Sequence, residues 1–148
     1  MTETNISPEE WAAWRSFRRM AEIISGRIVQ DITRSTGLSA ADFMVLMELD
    51  KAADGCRRQR DLQAYLEWDK TRLSHQLTRM ASRELIARGN DDNIVTIRMT
   101  ATGYQQLAAA KPAHSASVRK NFLDHLGADD LGKLQEITEK LHQAEADL

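Results

Sequence analysis

The stretch LQAYLEWDKTRLSHQLTRM, residues 62–80, decides the fold predicted for this chain. Apolar residues recur in it every three or four positions, as on one face of a helix, at Leu62, Leu66, Leu73, Leu77 and Met80. Trp68 interrupts this pattern, and Asp69 is a good N-cap because its carboxylate can accept hydrogen bonds from the first free amides of a helix. We therefore predict helices over about residues 59–66 and 70–83, which together form a helix-turn-helix.

A β-hairpin is predicted directly after this pair of helices, over residues 85–99. Leu85 and Ile86 begin one extended segment, residues 94–97 are rich in β-branched side chains, and residues 89–93 between them are turn formers. A helix-turn-helix followed by a hairpin is the plan of a winged helix, in which the second helix lies in the DNA major groove and the hairpin flanks it.

The outward face of the second helix supports this interpretation. It contains no acidic residue between Lys70 and Arg83, and nearly every side chain on it can donate a hydrogen bond to a base or phosphate. From the inward positions and a rotation of about 100° per residue, we predict that the DNA-facing residues are Lys70, Thr71, Arg72, Ser74, His75, Thr78 and Arg79. Further cations, expected to contact phosphates, are Arg57, Arg58, Arg60, Arg88 and Arg98.

Charge is unevenly distributed along the 148 residues. The net charge of −2 excludes a uniformly cationic protein, but residues 57–100 hold 9 basic and 6 acidic side chains, whereas both flanking segments are acidic. This basic segment coincides with the predicted winged helix. The distribution of charge therefore favours nucleic-acid binding, although the net charge of the whole chain does not.

Long helices are predicted on both sides of the winged helix. Ser7, Pro8 and Glu10 form a capping box that starts a helix of about 25 residues ending before Gly37. Its apolar stripe comprises Trp11, Trp14, Phe17, Ala21, Ile24, Ile28 and Ile32, and a similar seam near the C-terminus comprises Leu131, Leu134, Ile137, Leu141, Ala144 and Leu148. Part of these faces is expected to meet a partner chain.

Two further helices complete the prediction. One begins at Ser39, with Asp42 as the third residue after the cap, and stops at the turn Asp54-Gly55; its inward residues are Phe43, Leu46, Met47 and Leu49. Another is capped by Thr100 and should kink or break at Pro112, because proline lacks the amide hydrogen that continues a helix.

The sequence resembles the MarR-type winged-helix transcription regulators, and the segment at residues 114–131 resembles an actinobacterial-type branch of that family. The resemblance rests on LSAADFMVLMEL at 38–49, on the opening stretch, on LIAR at 85–88 and on MTATG at 99–103. It implies a mainly α fold with a small β-hairpin, in which residues 1–148 form a single domain. Residues 53–100 would be the DNA-binding lobe, and residues 1–36 and 101–148 would be the dimerisation lobe. A homodimer would then bind a pseudo-palindromic operator, as a repressor that a small aromatic effector releases.

Two positions depart from the family pattern. Glu84 stands where the family usually has a glycine, and a left-handed cap at such a residue costs roughly 1 kcal/mol. The predicted wing tip is short and acidic, with Asp91 and Asp92, and Asn93 stands about where an arginine is expected. We therefore expect DNA binding to depend on the helix more than on the wing.

Other functions find less support in the sequence. Trp14, Arg18, Phe43 and Met47 are weak candidates for an effector site, and a redox role for Cys56 is a minor alternative. No metal-ligand spacing, cofactor fingerprint or catalytic grouping is present, so we expect neither an enzyme nor a cofactor. No apolar run suggests a membrane span, and the N-terminal segment does not resemble a secretory leader, so we expect a cytoplasmic protein. A winged-helix adaptor that binds another protein remains the main alternative.

Overall fold

The computed structural model describes residues 5–146. This part of the chain contains six α-helices, three strands and one short 3₁₀ helix at Leu123–His125. In chain order the elements are α1 (Pro8–Thr36), α2 (Ala40–Asp50), β1 (Cys56–Arg58), α3 (Gln59–Leu66), α4 (Lys70–Ser82), β2 (Ile86–Asp91), β3 (Ile94–Met99), α5 (Ala101–Asn121) and α6 (Ala128–Ala146).

Residues 28–115 form one compact unit, built on a small antiparallel sheet. The strand order is β1-β3-β2, so β3 is central and pairs with both neighbours. Ile86 opposes Met99 and Arg88 opposes Ile97, which places these four side chains on the face that packs against the helices. The core comprises inward side chains of α2, α3, α4 and the sheet, among them the predicted Leu62, Leu66, Leu73, Leu77 and Met80.

The predicted helix starts are confirmed. The Ser7 amide donates to Glu10 Oε2 at 2.8 Å and the Glu10 amide to Ser7 Oγ at 3.2 Å. Ser39 and Asp42 form the same reciprocal capping box at α2. The Asp69 carboxylate accepts from the Arg72 amide at 2.8 Å. These short-range patterns are readable from sequence because each depends on residues three apart.

Four details of the prediction are wrong. Helix α2 ends at Asp50 rather than at the turn Asp54-Gly55, and residues 56–58, predicted as a loop, form β1 against β3. The hairpin turn is only Asp92 and Asn93, because residues 89–91 continue β2. Helix α5 does not break at Pro112 but continues to Asn121. Pro112 is exposed, so its ring lies on the solvent side of the helix.

The second compact unit comprises the described residues up to 27 and those from 116. The first part of the predicted stripe on α1 is exposed, with Trp11, Trp14 and Phe17 at 44%, 51% and 55% of their full accessibility, whereas Ile32 at its end is buried in the core of the other unit. On α6, Ile137 and Leu141 are exposed as well. Leu148, the last residue of the predicted seam, lies outside the described residues. No helix within residues 5–146 is long and apolar enough to cross a membrane.

Candidate nucleic-acid interface

Helix α4 presents the predicted face to solvent. Leu73, Leu77 and Met80 are fully buried, and Ser74 is half-buried. The other predicted residues of this face are exposed, namely Lys70, Thr71, Arg72, His75, Thr78 and Arg79. The periodicity therefore identified the orientation of the helix, although it missed that Gln76 is buried.

Arg72 is positioned by an aromatic ring. Its guanidinium carbon lies 4.2 Å from the centre of the Trp68 ring, and Trp68 itself is buried in the turn between α3 and α4. A cation over an indole face is attracted by the ring quadrupole. Trp68 thus limits the orientations of Arg72 while its guanidinium stays exposed.

Arg88 of β2 adds a cation to this face. Its Nη2 donates to the Ser74 carbonyl oxygen at 2.7 Å and its Nη1 to Thr78 Oγ1 at 3.0 Å. The Thr78 hydroxyl in turn donates to the Ser74 carbonyl oxygen at 3.0 Å. The structure therefore brings together three predicted residues from two elements, Ser74 and Thr78 of α4 and Arg88 of β2.

A buried polar network attaches the C-terminal half of α4 to α2. Asp42 is 1% exposed, and its carboxylate accepts from Gln76 Nε2, from Arg83 Nη1 (both 2.6 Å) and from the Ser39 amide (2.9 Å). Gln76 Oε1 then accepts from Arg79 Nη2 at 2.7 Å. This network links one predicted DNA-facing cation to the core.

The ionisation of Asp42 follows from these partners. Burial is the largest single influence and raises the pKa of Asp42, but hydrogen bonds from Arg83 and Ser39 together with the charge of Arg83 outweigh it. The pKa of Asp42 is therefore held below its ordinary value, and the carboxylate is charged at neutral pH. Sequence analysis identified Asp42 only as a capping residue.

Helix α4 ends in a Schellman motif with Glu84 in the position usually taken by glycine. The Leu85 amide donates to the Met80 carbonyl oxygen and the Glu84 amide to the Ala81 carbonyl oxygen, both at 3.0 Å. Glu84 has φ of +59°, in the left-handed region. The left-handed helix cap therefore forms at this position although the residue is glutamate rather than glycine.

The wing is short and its tip is acidic. Asp92 and Asn93 have φ of +48° and +66°, as in a two-residue type I′ turn, and Asp91 and Asp92 are exposed. Below the tip, a concavity between the wing and the starts of α3 and α4 contains three predicted cations, Arg58, Arg60 and Lys70.

Arg57 and Arg98 have other partners. Arg57 Nε donates to the Glu48 carbonyl oxygen at 2.9 Å, and its guanidinium carbon lies 5.0 Å from the centre of the Tyr65 ring. Arg98 Nη1 lies 3.4 Å from the Asp54 carbonyl oxygen. Arg57 is half-buried, whereas Arg98 is exposed.

The weak effector candidates lie in different surroundings. Phe43 is buried with its ring centre 5.0 Å from that of His114, and Met47 packs at the edge of the core. Trp14 and Arg18 lie on the exposed surface of α1, where Arg18 pairs with Glu22 at 3.2 Å. Among the described residues, no group of three or more His, Cys, Asp or Glu side chains could hold a metal ion.

Solved structures with the same architecture include MarR family transcriptional regulators. AbsC from Streptomyces coelicolor, a MarR family transcriptional regulator, is 27% identical, with a TM-score of 0.90 over 99% of this chain and 100% of its own. Sco3205, another such regulator from that organism, was solved in complex with DNA; it is 23% identical, with a TM-score of 0.88 over 96% of this chain and 91% of its own.

A third structure comes from another organism. BpsR from Bordetella bronchiseptica, solved in a study of the regulation of its DNA binding by 6-hydroxynicotinic acid, is 19% identical, with a TM-score of 0.77 over 94% of this chain and 99% of its own. No protein-family model and no curated protein matches the chain. AbsC and Sco3205 are transcription regulators rather than enzymes. With six helices and a three-stranded sheet in its described residues, and with its likeness to AbsC, the chain has the fold of the MarR family transcriptional regulators.

Proposed function

We propose that this chain is a sequence-specific regulator that binds double-stranded DNA as a homodimer and represses transcription from a pseudo-palindromic operator. The observation that carries the proposal is the exposed, acid-free outward face of α4, beside which the cations of the wing and of α3 are gathered. Such a helix fits the major groove, where its donors meet base edges while the surrounding cations contact phosphates.

Arg72 offers the sharpest test of this interface. Its guanidinium is exposed and oriented by Trp68, so Arg72→Ala removes a cation without opening the core. We expect operator binding to weaken by about 1 to 3 kcal/mol if Arg72 contacts a base, with relaxed preference at that base pair. The matched control is Arg18→Ala, which removes an exposed cation from α1. Equal affinities of Arg72→Ala, Arg79→Ala and wild type would refute the assignment of α4 to the major groove.

Dimerisation is supported by the exposed apolar side chains of α1 and α6. Trp14, Phe17 and Leu141 are each at least half exposed in the single chain, and contiguous exposed apolar surface marks an interaction site. Light scattering should give twice the chain mass for wild type and a reduced mass for Phe17→Glu. Ala64→Glu, which adds the same charge to the exposed surface of α3, should remain dimeric. A monomeric wild type would contradict the proposal.

A small aromatic acid is the class of effector that we propose for Trp14 and Arg18 on α1. The support is chemical: Trp14 supplies aromatic surface, and Arg18 supplies a cation that could pair with a carboxylate. Salicylate added to the DNA complex should release DNA from wild type at lower concentration than from Arg18→Ala. If the same salicylate concentration releases DNA from both proteins, Arg18 does not bind the effector.

The main alternative, a winged-helix adaptor for another protein, differs in its salt dependence. DNA binding releases counterions, so log affinity should fall linearly with log salt concentration, whereas an apolar protein interface changes little. Failure to bind any double-stranded DNA at low salt would favour the adaptor.

A further inference from the structure

The geometry points to Arg88, a residue of the wing strand β2, as a base-recognising residue in the major groove, and we propose that it recognises a guanine. This inference rests on the proposed DNA binding and deepens it, because wing residues otherwise meet DNA through the hairpin tip, which is acidic here. The sequence predicted only a phosphate contact for Arg88.

The register of the sheet directs Arg88 toward α4. Arg88 opposes Ile97, which is fully buried, so the two side chains leave the sheet on the same face. Ala87 and Gly89, its neighbours in β2, point to the opposite face. Arg88 therefore extends from the core face of the sheet, one alternate position beyond the buried Ile86, and is exposed.

The guanidinium lies within the envelope of the helix. Side chains extend an α-helix to a radius of about 5 to 6 Å, and its Cα atoms lie about 2.3 Å from the axis. Arg88 Nη2 lies 2.7 Å from the carbonyl oxygen of Ser74, so it is held close to the helix backbone rather than extended away from it. A major groove that admits α4 therefore admits this guanidinium with it.

The hydrogen bonds also determine which donors remain for DNA. The Thr78 hydroxyl donates its one hydrogen to Ser74 and accepts from Arg88, so it has no hydrogen left for a base acceptor. The Arg88 guanidinium has five N–H groups, of which two are used here and three remain for DNA. Because both Nη atoms are hydrogen-bonded to α4, the plane of the guanidinium is fixed. Guanine O6 and N7 form the pair of major-groove acceptors that a guanidinium fork fits.

The test measures affinities of wild type, Arg88→Ala and Arg98→Ala for an operator selected by the wild type and for variants with each base pair replaced. Arg98 is the matched comparison, an exposed arginine of the neighbouring strand whose side chain leaves the other face of the sheet. Because Arg98 is expected to contact a phosphate, Arg98→Ala should lose the same affinity on every operator variant. We expect Arg88→Ala to lose about tenfold to 100-fold affinity for the selected operator, and to become indifferent to replacement of one G·C pair in each half-site.

Arg88→Lys distinguishes the contribution of the positive charge from that of the planar guanidinium. It keeps the cation, so the salt dependence should stay as in wild type while discrimination at that G·C pair is lost. Three outcomes for Arg88→Ala would overturn the inference. An equal loss of affinity on every operator variant would indicate that Arg88 contacts a phosphate or only stabilises the fold. Unchanged affinity, or an unchanged preference at every base pair, would show that Arg88 does not recognise a base. If the wild type selects no operator at all, the proposed function fails rather than the role of Arg88.

Discussion

Replacing Asp42 with alanine tests whether the buried network holds α4 against α2. The change leaves the amide of Gln76 without its acceptor in a site that is 3% exposed, which costs about 1 to 3 kcal/mol. It also removes the reciprocal half of the α2 capping box, worth roughly 0.5 kcal/mol at the exposed Ser39. The Arg83 side chain is 46% exposed, so water can hydrate it once the Asp42 carboxylate is removed. The loss of this ion pair therefore costs about 0 to 1 kcal/mol.

The expected loss in the free energy of unfolding is therefore about 2 to 4 kcal/mol, which corresponds to a fall in Tm of roughly 5 to 15 °C for a chain of this size. Thermal and urea unfolding should be followed at one fixed protein concentration, because the proposed dimerisation would make Tm concentration-dependent. The matched control is Glu22→Ala, which removes the carboxylate from an exposed pair with Arg18 and should change stability by less than about 0.5 kcal/mol. Equal stabilities of Asp42→Ala and Glu22→Ala would refute the role of the network.

The same residue gives a pH dependence with a definite sign. Because the pKa of Asp42 is lower in the folded state than in the unfolded state, the stabilisation is complete above the unfolded value of about 4 and is lost as pH falls through the folded value. The stability difference between wild type and Asp42→Asn should therefore shrink as the pH is lowered below about 4. A difference that stays constant down to pH 2 would contradict this assignment.

Two further predictions concern the end of α4 and the wing tip. Glu84→Gly should stabilise the fold by about 1 kcal/mol and raise Tm by roughly 2 to 4 °C, because Glu84 has φ of +59° in a Schellman motif. A lower Tm would show that the Glu84 side chain contributes more to stability than its left-handed backbone costs. Asp91→Asn should strengthen DNA binding severalfold at low salt and less at high salt, because it removes an exposed negative charge from the wing tip; Asp129→Asn on α6 should leave affinity unchanged, and the same gain in both variants would indicate a general charge effect.

The sequence predicted most of what depends on local spacing. The capping boxes at Ser7 and Ser39, the N-cap at Asp69 and the orientation of α4 follow from residues three or four apart, and all are confirmed. Strand β1 was missed because Cys56–Arg58 is too short to show a pattern of its own and is ordered by pairing with β3. The break predicted at Pro112 does not occur, because packing of the rest of α5 outweighs the one hydrogen bond that proline removes.

The polar contacts of the site depend on long-range packing. Asp42 and Gln76 are 34 residues apart, and Arg88 reaches a carbonyl oxygen 14 residues earlier. One signal was present: Gln76 is three residues after the inward Leu73, and a polar side chain at an inward position requires a buried partner. Nothing in the sequence alone identified Asp42 as that partner.

Selection of DNA from a random double-stranded pool tests the central claim most directly. The chain of 148 residues, shown by its unfolding transition to be folded, is incubated with the pool, and the retained DNA is sequenced after each round. The account predicts an enriched inverted repeat whose half-sites are separated by one helical turn, about 10 base pairs from centre to centre, with a shared G·C pair in each. A pool that stays unenriched while the protein remains folded would contradict it.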